Sequence, residues 1–249
     1  MQSAPRTLRI RALRERKAVT KTASTTAASP ESNSPHLERC ADGLYLVAGD
    51  VRLRGDFSSL ASRVAPARIS SELLVKACKV KGANTPPTAI DATAGLGEDS
   101  FVLAAAGFSV VMCERDPMIA ALLADALDRA RADERTAHIA ARMTLAEADS
   151  IAYMNSAAAQ DQTVDVVFLD PMFPAKRKSA LTNKKLQLIR ALESPCTEGV
   201  ELLNAARAIA AKKVVVKRAV KAPTLTDAKP ASSIAGKTIR YDIYPPLAR

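Results

Sequence analysis

Short apolar runs alternate with helical stretches from residue 89 onward, and this alternation constrains the fold more than any other feature of the chain. Residues 89–93, 108–114, 143–148, 164–170, 213–217 and 238–244 read as strands, and 99–106, 117–131, 150–158, 183–192 and 198–211 read as helices. Strands separated by helices need crossover connections, which lay them parallel in one sheet with helices on both faces. The expectation is an α/β fold with a doubly wound, mostly parallel, Rossmann-like sheet. Ligands of such sheets sit beyond the carboxyl ends of the strands. Four of those ends carry acids here: Asp91, Glu114, Asp149 and Asp170.

A smaller unit over residues 36–85 precedes this domain, which occupies 86–249. Leu44-Tyr45-Leu46-Val47 and Val51-Arg52-Leu53 flank Ala48-Gly49-Asp50 as a hairpin, and a helix capped by Ser70 or Ser71 runs to about Lys79. Residues 1–35 are Arg-rich and then rich in Ser, Thr, Ala and Pro, with Glu15 and Glu31 as the only acids. They read as a disordered basic tail; an organelle transit peptide and an arm that touches nucleic acid fit the same composition.

Charge is segregated along the chain. The net charge is +10, yet residues 98–170 hold 13 acids and 5 basic residues, so the remainder carries +18. Residues 176–190 and 207–221 contain six Lys or Arg each and no acid. An acidic half suits a cationic ligand and a basic half suits a polyanion, although either basic run alone could be a solvated face. Cys40, Cys78, Cys113 and Cys196 form no CxxC pair, and only His36 and His138 accompany them, which argues against a zinc site and for a reducing compartment. No apolar run approaches the roughly 18–20 residues that span a bilayer. A cytoplasmic protein is expected, with a monomer as the simplest state and no membrane partner.

Four motifs carry chemistry. In Asp91-Ala92-Thr93-Ala94-Gly95-Leu96-Gly97-Glu98-Asp99 the glycines occupy a strand-to-helix turn where backbone can approach a ligand. Ser100 replaces the third glycine of a dinucleotide fingerprint, and Glu98 and Asp99 would repel a pyrophosphate. Acids on both sides of the turn suit S-adenosylmethionine, which bears a sulfonium and an ammonium group. Glu114 ends the next strand, where a carboxylate can accept hydrogen bonds from both hydroxyls of a ribose. Asp170-Pro171-Met172-Phe173-Pro174 follows the apolar run Val166-Val167-Phe168-Leu169. Asp170 and the Pro171 carbonyl can accept from an exocyclic amine of a nucleobase while Phe173 stacks on its ring. Lys176, Arg177, Lys178, Lys184 and Lys185 come next in the chain, and Lys217 and Arg218 close the strand 213–217; basic groups beside a base pocket suit phosphates.

With Lys178-Ser179-Ala180-Leu181, Val214-Val215-Val216-Lys217-Arg218 and Tyr241-Asp242-Ile243-Tyr244, these motifs resemble the ribosomal RNA small subunit methyltransferase J family. The resemblance runs from about Asp56 to Tyr244. It implies a class I methyltransferase fold, S-adenosylmethionine as cofactor, and methylation of a guanine N2 amine in 16S ribosomal RNA, free or in the small subunit. Cofactor contacts implied by the family fall on Glu98, Asp99, Glu114, Arg115, Asp149, Ser150 and Asp170, beside Asp91, Gly95 and Gly97 of the turn. Two positions depart from the family pattern: Arg is usual where Glu98 stands, and a double Ser where Asp149-Ser150 stands. Alternatives are an amino-methyltransferase acting on another nucleic acid or on a protein glutamine, an NAD-dependent oxidoreductase, and a non-catalytic RNA-binding protein.

Overall fold

The computed structural model describes residues 6–7, 34–82, 85–171 and 198–248. In chain order the elements are β1 (Arg6–Thr7), β2 (His36–Cys40), β3 (Gly43–Ala48), β4 (Val51–Leu53), α1 (Pro66–Ile69), α2 (Leu73–Cys78), β5 (Thr88–Asp91), α3 (Glu98–Ala105), β6 (Ser109–Glu114), α4 (Pro117–Ala132), α5 (Ala137–Ala140), β7 (Met143–Glu147), α6 (Ser150–Ala159), β8 (Gln162–Leu169), α7 (Gly199–Ile209), β9 (Ala210–Ala219), β10 (Ser232–Ala235) and β11 (Ile239–Tyr244). The main sheet has the order β10-β11-β9-β8-β5-β6-β7. β9, β8, β5, β6 and β7 run parallel, and β11 joins β9 antiparallel. Arg6–Thr7, inside the stretch expected to be a tail, pairs with the start of β8.

Strand periodicity of two divides the core into layers on the two faces of the sheet. Ala89, Val110, Met112, Val166, Phe168, Val215 and Tyr241 face α3 and α4 through Phe101, Leu103 and Leu123. Their neighbours Ile90, Val111, Val167, Leu169, Val214 and Val216 face Met154 of α6 and Leu203 and Ile209 of α7. Both faces are covered, so the central strands read as unbroken apolar runs instead of alternating ones. One polar residue interrupts them: buried Asp165 accepts from the Thr88 amide at 2.9 Å and the Thr88 hydroxyl at 3.0 Å, which ties β8 to β5.

The front unit holds three antiparallel strands, β2-β3-β4, one more than the expected hairpin. It packs Leu44, Leu46 and Leu53 on Leu122 of α4. Asp125 of α4 fixes it by accepting from the Leu44 amide at 3.1 Å and from Arg39 at 2.8 Å. The helix expected from Ser70 or Ser71 is two short helices, and α2 has Glu72 at its N-cap with no side-chain cap. Pro66 starts a separate α1, and the Ser71 hydroxyl instead donates to the Arg68 carbonyl at the end of that helix. β10 was not anticipated, since Ser232 and Ser233 carry no apolar alternation. The expected helix 183–192 lies outside the described residues.

The antiparallel margin depends on one guanidinium. Arg240 donates to both oxygens of Asp242 and to the carbonyls of Ala219, Val220 and Ala222. Asp242 is 1% exposed and also accepts from the Ser233 hydroxyl at 2.6 Å, so Arg240→Ala leaves a buried carboxylate without its ion-pair partner. Such a loss costs about 3–5 kcal/mol; Arg218, whose charge also interacts with Asp242, places it at the lower end. Urea unfolding at neutral pH is expected to show a loss of about 3 kcal/mol, and a loss under about 1 kcal/mol would contradict that role.

Candidate active site

The carboxyl ends of β8, β5, β6 and β7 are adjacent in the sheet, so the topology gathers Asp170, Asp91, Glu114 and Asp149 along one rim. Asp91 lies beneath the glycine turn. It is 1% exposed, accepts from the Ser100 hydroxyl at 2.6 Å, and accepts from the Thr93 amide at 3.2 Å. The residue that replaces the third glycine thus has a task of its own: Ser100 ties the first turn of α3 to the end of β5. Gly95 and Gly97 both have positive φ, 53° and 75°. At Gly97 the cause is packing, because a Cβ would stand 2.7 Å from Leu123 Cδ1 and 3.2 Å from Phe57 Cζ.

Burial pushes the Asp91 carboxyl up to about 7, reinforced by the nearby charges of Asp99 and Asp170. The ordinary carboxylate value is about 3.9, so between about pH 4 and 7 the folded chain binds more protons than the unfolded one. Stability from this group is therefore lost as pH rises through that window. Asp91→Asn is expected to gain on the parent by on the order of 2–3 kcal/mol between pH 5 and pH 8. Urea unfolding at the two pH values checks this; parallel pH dependence of variant and parent would contradict it.

Glu114 is held rigidly. One carboxylate oxygen accepts from the Gly95 amide at 3.0 Å and the other from the Asp116 amide at 2.8 Å. Each oxygen keeps a further lone pair, which is what a ribose diol requires. Burial raises its pKa, and the two amides oppose that rise. Asp116 caps α4 through the Met118 and Ile119 amides. Arg115 and Asp149 stand opposite each other at 3.8 Å, and Asp149 caps α6, whose first residue is Ser150, through the Ala152 amide. Glu98 is exposed in the first turn of α3.

The rim is not uniformly acidic. Lys217 Nζ lies 2.6 Å from Asp99 Oδ2 and 2.9 Å from Asp170 Oδ2. Arg63, from the front unit, lies 3.4 Å from the other oxygen of Asp99 and 3.1 Å from Glu72. Asp170 is also fixed through its backbone, whose amide donates to Thr93 Oγ1 at 2.7 Å. Surrounding protein raises its carboxyl pKa while Lys217 lowers it. Arg218 is 5% exposed and donates to the Pro223 carbonyl at 2.9 Å. Lys217 and Arg218 were expected on phosphates; both are instead engaged within the fold, because β9 is an inner strand between β8 and β11. Asp99, expected as a cofactor contact, has both oxygens in ion pairs.

Pro171 is buried directly after Asp170. Phe173, Lys176, Arg177, Lys178, Lys184 and Lys185 lie outside the described residues. Sequence reasoning did not anticipate Arg63 or the inward course of Lys217; neither has a local signal, since both meet Asp99 only through tertiary contact. A largely apolar groove of about 650 Å³ between Ile69, Val75, Val80 and Phe108 lies by Pro87 and Phe108, which precede β5 and β6, and none of the rim acids Asp91, Glu114, Asp149 and Asp170 lines it. No cluster of metal-ligating side chains occurs among the described residues, and none of their helices is long and apolar enough to cross a membrane.

The set fits S-adenosylmethionine by the chemistry of its groups. Glu114 keeps a lone pair on each carboxylate oxygen, which a ribose diol could use, Glu98 adds negative charge in the first turn of α3, and Asp149 and Asp170 follow the neighbouring strand ends.

Comparison with known proteins is consistent with this geometry. Residues 46–246 match the family described as "Putative SAM-dependent methyltransferase". The chain is 46% identical over 176 residues to the ribosomal RNA small subunit methyltransferase J of Marinobacter nauticus, a match covering 71% of this chain and 63% of that protein. It is 43% identical to the protein of the same name from Thioalkalivibrio sulfidiphilus, over 74% of this chain and 72% of that one. The crystal structure of a SAM-dependent methyltransferase from Neisseria gonorrhoeae superposes with a TM-score of 0.73 at 32% identity, covering 90% of this chain and 87% of that one.

Proposed function

The chain belongs to the SAM-dependent methyltransferase family that includes ribosomal RNA small subunit methyltransferase J, and from that premise we propose that it methylates the N2 amine of a guanine in 16S ribosomal RNA. The observation that carries this reading is the placement of Asp170 beside the rim that suits the cofactor, directly before Pro171. Bound there, S-adenosylmethionine supplies an electrophilic methyl group on a sulfonium.

Glu114, anchored by the Gly95 amide, accepts from the ribose hydroxyls in this reading. The guanine amine is a poor nucleophile because its lone pair is delocalised into the ring. Asp170 and the Pro171 carbonyl accept its two hydrogens, which favours a pyramidal nitrogen facing the methyl group. As the nitrogen–carbon bond forms and the carbon–sulfur bond breaks, the surplus proton on nitrogen passes to Asp170. Fixed proximity provides much of the acceleration, and effective molarities of about 10⁵ M or more are attainable for well-oriented partners. Phe173 stacks on the base in this proposal, and Lys176 to Lys185 hold phosphates. The proposed setting is the cytoplasm, with a single chain as the acting unit.

Labelled-methyl transfer into small ribosomal subunits, free ribosomal RNA, DNA and protein, followed by nucleoside analysis, tests this. Label in N2-methylguanosine from ribosomal RNA is expected. Label confined to DNA or protein would contradict it.

A further inference from the structure

Asp170 is one end of a chain of alternating charges that joins four parts of the molecule. Asp170 follows β8, Lys217 sits on β9, Asp99 lies in the first turn of α3, and Arg63 comes from the front unit. Arg63 also pairs with Glu72 at 3.1 Å, so three carboxylates and two cations alternate along the chain, with Asp170 at one end and Glu72 at the other. Strand alternation explains the meeting: Val215 faces the α3 layer, so Lys217, two residues on, points the same way. Its ammonium is drawn into the site by contacts of 2.6 and 2.9 Å and is not directed outward.

We infer that Lys217 is a positioning residue for methyl transfer: it holds Asp170 ionised and in one orientation, with Asp99 and Arg63 fixing Lys217 in turn. This rests on Asp170 being the group that accepts from the target amine. An ionised Asp170 is needed because a protonated carboxyl would donate toward the amine and could take no proton from it.

The charges that act on Asp170 come from every side. Lys217 and Arg218 on β9 favour its ionised form, and Asp99 on α3 opposes it. Asp91 at the end of β5 and Tyr241 on β11 also interact with it, and Arg63 acts through Asp99. Among these, Lys217 makes the direct contact. Desolvation by the surrounding protein pushes the partly exposed Asp170 toward protonation and Lys217 counters that push, so removing the ammonium should carry its titration upward.

Two variants, Lys217→Met and Lys217→Arg, separate positioning from RNA binding. In the cofactor-free protein, carboxyl-carbon NMR of Asp170 is expected to show a titration midpoint raised by about one pH unit or more in Lys217→Met and near the parent value in Lys217→Arg. In methyl transfer, Lys217→Met is expected to lower kcat by about tenfold or more and to move the acidic limb of the kcat profile upward. KM for RNA should change little, and Lys217→Arg should recover most of the rate. An unmoved Asp170 midpoint would overturn the inference, whether or not any substrate is turned over. A higher KM for RNA with an unshifted acidic limb would overturn it in favour of a phosphate contact. A parent protein that transfers no methyl to RNA, with the NMR shift present, would place the error in the proposed reaction and leave the Lys217–Asp170 coupling standing.

Discussion

Asp170→Ala is expected to reduce kcat for methyl transfer by about 10²–10⁴-fold while leaving the fold nearly unchanged. The separation follows from the surroundings of the side chain. Asp170 is partly exposed, and its removal leaves Lys217 paired with Asp99 at 2.6 Å, so no charge is stranded. The Thr93 hydroxyl continues to hold residue 170 through its backbone amide. What disappears is the acceptor for the amine hydrogens and for the departing proton. Asp170→Asn keeps one acceptor and cannot take the proton, so its rate should fall between parent and alanine variant. Single-turnover kinetics with saturating cofactor measures this, and an alanine variant within threefold of the parent would remove Asp170 from the reaction.

The second large effect concerns the cofactor itself. Glu114→Ala is expected to weaken S-adenosylmethionine binding by about 10²- to 10⁴-fold, the loss of two hydrogen bonds to a charged group at about 1.5–3 kcal/mol each. Anchoring by the Gly95 and Asp116 amides means that the carboxylate meets the ribose without an ordering cost, so both bonds count nearly in full. Glu114→Gln retains one acceptor and should weaken binding by about tenfold. Some stability is lost as well, since two backbone donors lose their acceptor. A Glu114→Ala protein that folds and binds the cofactor like the parent would show that the ribose lies elsewhere.

Much of the frame was legible in the sequence. Apolar runs such as Val110–Cys113 and Val166–Leu169 are long enough to identify inner strands, and in a doubly wound sheet their carboxyl ends must converge, which placed Asp91, Glu114 and Asp170 on one rim. What escaped was set by contacts distant in the chain. Ser70 and Ser71 carry the chemistry of a cap, but Pro66 begins a helix earlier and Ser71 serves that helix's end. Lys217 and Arg218 belong to a basic run that composition alone assigns to phosphates. Only the position of β9 between β8 and β11 reveals that Arg218 is buried and that Lys217 pairs with Asp99 and Asp170. Asp91 and Asp99 read as cofactor ligands from their motif, which gave no sign that one also braces the turn from beneath and the other pairs with Lys217 and Arg63. A local motif fixes which elements meet at a strand end; it does not fix which of several acids there is left available to a ligand.

Calorimetric titration of the purified chain with S-adenosylmethionine, under reducing conditions at low salt and with NADH as the comparison, tests the carboxylate rim most directly. One saturable site for S-adenosylmethionine, absent for NADH and weakened in Glu114→Ala, is the expected result. No heat of binding for S-adenosylmethionine, or equal binding of both molecules, would contradict the account at its foundation.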